Sequence, residues 1–425
     1  MERLSELFLL FTRLGFIGFG GPQAHLALMQ DEVQERRGWL TKEEFSDGLA
    51  VCNILPGPAS TQMVAYIGWV RGGLRGGLVA AFSFIWPAFT MMLVLSWLYF
   101  NYGTLAQVNA FFYGLKPIVV AIVVATAWRL AKPALRDTRF LTIMLVTALL
   151  MGAQLFNDFL VFLGAALIGL PLYASDELML NRVPEKKGKP TSERGLKMGG
   201  FWVAFGLVNE QTISLLTNMG DFGRLAQLTW FFIRAGAFIF GGGLVIIPLI
   251  QNEVVQGYGW LTQQQFLDGV VLGQATPGPV LITAAFVGYA TAGVIGALVA
   301  TLAIFAPGLT LILLVAPSLK KVKRFPWARA ALKGVNGAVV GSLLAGAYFT
   351  ALTAFVLPHT SAGGFEMGKG KILDFYTLTL GLIALFLILR YKLNTIYLFL
   401  VAGGIGLLLS LLPFRLPGSG LPLIQ

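Results

Sequence analysis

One set of motifs occurs twice in this chain, and that duplication limits the fold more than any single residue does. The first copy reads Arg13-x-Gly15-x-x-x-Phe19-Gly20-Gly21, then Glu32, Gly38-Trp39-Leu40-Thr41, Phe45, Asp47-Gly48 and Pro56-Gly57-Pro58. The second reads Arg234-x-Gly236-x-x-x-Phe240-Gly241-Gly242, then Glu253, Gly259-Trp260-Leu261-Thr262, Phe266, Asp268-Gly269 and Pro277-Gly278-Pro279. The offset is 221 residues through the Pro-Gly-Pro and 220 afterwards, where Pro87 matches Pro307, Thr90 matches Thr310 and Gly114 matches Gly334. Such a chain folds as two like units.

Both units are apolar. Hydrophobic residues make up 56% of the chain and charged residues 12%, about half the charged share of a soluble domain. Apolar stretches near spanning length recur at Gly77–Leu98, Lys116–Leu130, Ala297–Ala316, Val335–Val356, Leu373–Leu389 and Asn394–Leu411. The fold class is therefore an all-α polytopic membrane protein embedded in a lipid bilayer. The net charge of +11 does not indicate nucleic acid, because the basic residues sit in short loops between spans. Cys52 stands alone, so no internal disulfide forms. The first apolar run, Leu7–Phe19, contains Arg13 and lacks a small-residue cleavage pattern, so it reads as part of the mature fold.

Charge asymmetry predicts opposite orientations for the two units. Ser318–Lys333 carries Lys320, Lys321, Lys323, Arg324, Arg329 and Lys333, whereas its counterpart Leu98–Tyr113 has no charge. Arg129–Arg139 is basic, and its counterpart Phe349–His359 has no Lys or Arg. Arg71 and Arg75 face an uncharged Thr291–Gly296, and Arg36, Arg37 and Lys42 face Gly257, Tyr258 and Gln263. Basic loops favour the cytoplasm, so equivalent loops are expected on opposite sides, as in an inverted-topology repeat. The predicted division is an N-terminal repeat over 1–173, a basic cytoplasmic linker over 174–200, a connecting transmembrane segment over 201–225 and a C-terminal inverted repeat over 226–425. The N-terminus falls in the cytoplasm if Leu7–Met29 is a hairpin, and the C-terminus falls outside, in the periplasm.

Phe19-Gly20-Gly21-Pro22, Phe240-Gly241-Gly242-Gly243 and the two Pro-Gly-Pro motifs break apolar runs into pieces too short to cross alone. Broken or re-entrant helices at matching places mark the binding region of a secondary transporter. Non-helical backbone at membrane depth must line a cavity or be buried in protein, and half-helix N-termini attract anions. Candidate substrate contacts are thus Gly20, Gly21, Pro56 and Gly57, with Gly241, Gly242, Pro277 and Gly278 in the second unit. Asn53 and Gln274 match each other three residues before the Pro-Gly-Pro. Ser60, Thr61 and Thr283 supply hydroxyls, although such groups often bond only their own helix.

Charges inside apolar runs are costly and are read as functional first. Arg13 and Arg234 suit an oxyanion, with structural pairing to Glu32 and Glu253 as the alternative. Glu32, Asp47, Glu253 and Asp268 could each carry a coupling proton. Capping or an Arg partner is the expected role for Asp47 and Asp268. His25 reads as a packing histidine rather than a relay, and Gln23 and Lys116 have no like residue in the other unit. Trp39 and Trp260 read as interfacial anchors. There is no Walker A motif, no Cys/His metal cluster, no nucleophile elbow and no dinucleotide fingerprint. Movement of a solute is expected, with no enzymatic activity and no cofactor.

The chain resembles the chromate ion transporter family in its long, two-domain form. The resemblance covers nearly the whole chain. It rests on Phe11-Thr12-Arg13-Leu14-Gly15 leading into Phe19-Gly20-Gly21-Pro22, on Gly38-Trp39-Leu40-Thr41 with Phe45 and Asp47-Gly48, and on Pro56-Gly57-Pro58. The second unit departs from the first with Gly243 for Pro22 and Gln274 for Asn53. The resemblance implies a bacterial inner-membrane exporter that confers chromate resistance, with sulfate as competing mimic and the proton motive force as driver. A sulfate or other oxyanion transporter and a passive anion channel stand as alternatives. Proton exchange and a homodimer are left open.

Overall fold

The computed structural model describes residues 2–103, 105–155, 158–180, 220–239, 246–318, 326–358, 365–366, 371–391, 393 and 395–410. Most of the predicted linker and connecting segment, and the Gly241-Gly242 pair, lie outside these residues.

Among the described residues each half supplies seven helices in the same order. The first half has α1 (Glu2–Ile17), α2 (Gly21–Met29), α3 (Lys42–Ile54), α4 (Ala59–Tyr102), α5 (Ala106–Ala131), α6 (Thr138–Gly152) and α7 (Asp158–Leu180). The second has α8 (Gly220–Ala237), α9 (Ile246–Gln251), α10 (Gln263–Ala275), α11 (Thr283–Val315), α12 (Pro326–Phe355), α13 (Phe375–Tyr391) and α14 (Thr395–Ser410). Even the π-helical turns match, at Gln30–Arg36 and Asn252–Gly257. A small antiparallel sheet is the departure from an all-helical expectation. It joins β1 (Val356–Pro358), β2 (Phe365–Glu366) and β3 (Lys371–Leu373), with β3 in the middle and Leu373 opposite both Val356 and Phe365.

Among the described residues four helical segments are long and apolar enough to cross a membrane: Ala59–Tyr102, Gln107–Ala134, Val280–Val315 and Ala330–Phe355. Leu9, Phe82, Leu149, Leu302, Leu314 and Leu400 stand exposed on the exterior, where hydrocarbon rather than water suits them. Within the interior, small residues let backbones approach at some helix crossings. Gly114 of α5 lies against the Ala402 carbonyl of α14, and its counterpart Gly334 of α12 lies against the Ala165 carbonyl of α7. The halves are therefore interlocked. α5 packs on α13 and α14 of the other half, and α12 packs on α6 and α7.

Two reversals were not anticipated from the sequence. The backbone leaves helical geometry at Gly72–Gly73 in α4 and at Ala292–Gly293 in α11. Gly68 then packs on Gly76, and Gly288 on Gly296, so each long helix is a hairpin with a short leg and a long leg. The long legs run antiparallel. Gly77, early in the long leg of α4, lies beside Leu313 near the end of α11. Phe100, near the end of α4, stacks on Tyr289 of the short leg of α11 at 5.8 Å.

Candidate functional site

The broken segments form hairpin tips. Gly18 meets His25, and Arg13 lies 3.5 Å from Glu32, so α1 and α2 double back across Gly20-Gly21. A second hairpin runs from α3 through Pro56-Gly57-Pro58 into α4, where Gly48 packs on the Tyr66 ring. Its partner in the other half turns at Pro277-Gly278-Pro279, with Gly269 on Phe286.

These tips bond crosswise between halves. The Gly57 amide donates to the Ile239 carbonyl at 2.6 Å, and the Gly278 amide donates to the Gly18 carbonyl at 2.8 Å. The Gln62 amide group donates to the Pro56 carbonyl at 2.8 Å and to the Gly308 carbonyl at 3.2 Å. His25 Nε2 donates to the Gly18 carbonyl at 2.8 Å while its ring meets Phe84 edge-on, and its Nδ1 is buried without a hydrogen-bond partner.

A cavity of about 1090 Å³ lies against the crossed tips. Gly20, Gly21, Asn53, Gln274, Thr276 and Gly278 line its inner end. It extends along Thr126, Arg129, Lys333 and Asn336 to Pro133 and Asp137 in the basic connection between α5 and α6. α2 begins at Gly21, so its free amides and positive dipole end bear on this space. Gln274 Nε2 is buried without a hydrogen-bond partner. Farther out, Arg129 donates to the Ile388 carbonyl at 3.1 Å, and Lys333 Nζ sits 5.4 Å above the Tyr173 ring. Asp137 caps α6 and accepts from the Tyr173 hydroxyl at 2.9 Å. The lining thus offers amide donors within and two cations toward the mouth, a pattern suited to an anion.

Several predicted site residues lie elsewhere. Arg13 and Arg234 do not line the cavity. Arg234 pairs with Glu253 in a buried bridge, with side chains 7% and 12% exposed, whereas the Arg13 side chain is 60% exposed. Glu32 also receives Arg36 and Arg37 at 3.3 and 3.5 Å. Ser60 and Thr61 are buried, and Thr283 donates to the Val280 carbonyl at 3.0 Å. Pro56, Gly57 and Pro277 shape the tips. Gly241 and Gly242 lie outside the described residues.

The capping expectation for Asp47 and Asp268 is corrected. Both sit inside their helices. The caps are Thr41 and Thr262, each in a capping box with Glu44 or Gln265, and the Thr-x-x-Glu/Gln pattern was legible. Asp268 is buried, accepts from the Tyr99 hydroxyl at 2.8 Å and lies 3.6 Å from Lys116 Nζ. Its partner is a lysine of the other half, not an arginine. Trp39 lies under Arg37 and Arg71, at 5.1 and 5.0 Å, and Trp260 stacks on Tyr258 at 4.4 Å.

The model of the chromate transporter family matches residues 5–170 and 226–407, which covers both halves. The chain belongs to the chromate transporter family. The chromate transport protein of Cupriavidus metallidurans is 32% identical over 389 residues, 92% of this chain and 88% of that protein. A probable chromate transport protein of Synechococcus elongatus is 33% identical over 387 residues, 90% of this chain and 89% of its own length. The chromate transport protein of Pseudomonas aeruginosa is 32% identical over 340 residues, 79% and 78% of the two chains. No solved structure matches.

In this member of the chromate transporter family, a multi-pass membrane protein, sequence reasoning missed the outer cavity. Arg129 and Lys333 were counted only as topological charges. Arg129 closes an apolar run, and a charge in that place could have been read as a pore-side cation.

Proposed function

We propose that the chain is an alternating-access secondary transporter that exports chromate across a bacterial inner membrane and so gives chromate resistance. One observation carries this reading: among the described residues, positions that line the cavity in one half have covered equivalents in the other. Three positions show the difference. Thr126, Arg129 and Leu130 line the cavity, whereas their counterparts 220 residues on are Gly346 (buried), Phe349 (half-buried) and Thr350 (buried). A duplicated fold with one face open and the equivalent face sealed is the arrangement from which alternating access follows.

The basic α5–α6 connection at the mouth supports a cytoplasmic opening. On the same rule the linker and the N-terminus are cytoplasmic and the C-terminus periplasmic. The antiparallel long legs of α4 and α11 support an inverted repeat, since equivalent spans that run in opposite directions place equivalent loops on opposite sides. In this reading Asn53, Gln274 and the amides at Gly20 and Gly21 hold the tetrahedral dianion, while Arg129 and Lys333 draw it in. Arg13 and Arg234 act through Glu32 and Glu253 to brace the hairpins behind the tips. A negative-inside potential favours outward movement by about 2.3 kcal/mol per charge per 100 mV. The proton motive force then drives export, and sulfate, of like shape and charge, competes.

Replacing Asn53 and Gln274 together with alanine tests the site. Hydrogen bonds to a charged partner contribute about 1.5–3 kcal/mol each. The double variant is therefore expected to raise the KM for chromate at least tenfold at unchanged membrane level. A wild-type KM in that variant would remove both amides from the site.

A further inference from the structure

Among the described residues, positions equivalent to the cavity lining are covered beside a charge pair. Asn336 lines the cavity, and its counterpart 220 residues earlier is Lys116, whose side chain is 14% exposed beside Asp268. Lys333 lines the cavity, and its counterpart Tyr113 is buried with its hydroxyl bonded to Asp374. Opening this surface by the rearrangement that closes the other would yield a second cavity, with Lys116 where Asn336 stands in the first. We propose that Lys116 is the oxyanion-binding cation of that opposite-facing state, and that Asp268 and the transported dianion compete for it. The inference rests on the alternating-access reading above.

The pair is suited to exchange. A lysine within an apolar segment needs a partner, and Asp268, 3% exposed, supplies it in the closed surface. The contact is loose. Nζ stands 3.6 Å from Asp268 Oδ1, which has no hydrogen-bond partner, whereas a hydrogen-bonded ion pair closes to about 2.7–2.9 Å. The other carboxylate oxygen keeps its bond from Tyr99 at 2.8 Å, so Asp268 stays anchored when Lys116 leaves. A tetrahedral dianion offers two charges and four oxygens to the freed ammonium, so it can replace a singly charged carboxylate. The halves differ here in the charge at equivalent positions. Asn336 is neutral and holds no competing anion, while Lys116 faces one. The ion therefore leaves from a site whose cation is reclaimed by Asp268.

Exchange of labelled chromate, with labelled sulfate as a second probe, is measured in inside-out and right-side-out vesicles of the same cells. The former present the open cavity and the latter the sealed face. Lys116→Gln should raise the KM at the sealed face tenfold or more and leave the KM at the cavity face within twofold. Lys116→Arg should restore it. Asp268→Asn should lower the KM at the sealed face several-fold, because the competitor is gone, and misfolding does not produce that sign. Equal shifts at both faces in Lys116→Gln, or a raised KM at the sealed face in Asp268→Asn, would overturn the inference and leave wild-type exchange intact. Absence of exchange by the wild-type protein at either face would instead remove the transport reading, and this inference with it.

Discussion

Gly57→Val is expected to abolish transport and lower the thermal stability of the detergent-solubilised protein. Gly57 has φ +125, and a Cβ there would lie 2.7 Å from the Cα of Gly308 and from the Gln62 amide nitrogen. Gln62 can move aside, but Gly308 presents backbone. A left-handed conformation costs an L residue about 1–2 kcal/mol, before any clash, and a β-branched side chain fits it worst. The same residue donates the amide bond that ties its tip to Ile239 in the other half, so the displaced backbone loosens the crossed tips. Gly38→Ala is the control. Gly38 also has positive φ, +59, but nothing lies within 4 Å of a Cβ there. It should lose only the conformational term of about 1–2 kcal/mol and keep transport. Equal behaviour of the two variants, read from melting curves and chromate flux, would remove the tip contact from the account.

Arg234→Ala should damage the protein far more than Arg13→Ala, although the two positions are equivalent in sequence. Arg234 and Glu253 form a buried bridge, with side chains 7% and 12% exposed. Removing one partner of such a bridge costs about 3–5 kcal/mol, because the other charge stays buried. The Arg13 side chain is 60% exposed and shares Glu32 with Arg36 and Arg37. Its loss should cost no more than about 1 kcal/mol. Membrane yield and melting temperature check both. The double variant Arg234→Met, Glu253→Leu should recover most of the loss, since an apolar pair leaves no unpaired charge. Equal damage at Arg13 and Arg234 would contradict the burial difference.

Local signals in the sequence were read well where the cause was local. Broken glycine and proline motifs marked the Gly20-Gly21 and Pro-Gly-Pro turns, and matching spacing gave two helical halves. Asn53 and Gln274 were singled out by their place before the Pro-Gly-Pro, and they meet in one cavity. What stayed hidden depends on contacts between distant segments. No periodicity places Gly57 against Ile239, or α14 on α5. Arg13 and Arg234 share one motif, and only packing separates an exposed side chain from a buried one. Lys116 has no like residue in the other unit, where Asn336 stands, and its ion-pair partner, Asp268, belongs to another helix of the other half. The reversals at Gly72–Gly73 and Ala292–Gly293 lie inside long apolar runs, where glycine is common in any membrane helix.

The most direct test of the central claim is labelled-chromate uptake into inside-out vesicles, with a membrane potential and a pH gradient imposed separately and sulfate as competitor. Export by a cavity open to the cytoplasm predicts saturable uptake, stimulated by an interior-positive potential and blocked by excess sulfate. Vesicles that contain the folded protein but show no saturable uptake, or a flux that rises linearly with chromate and ignores sulfate, would contradict it.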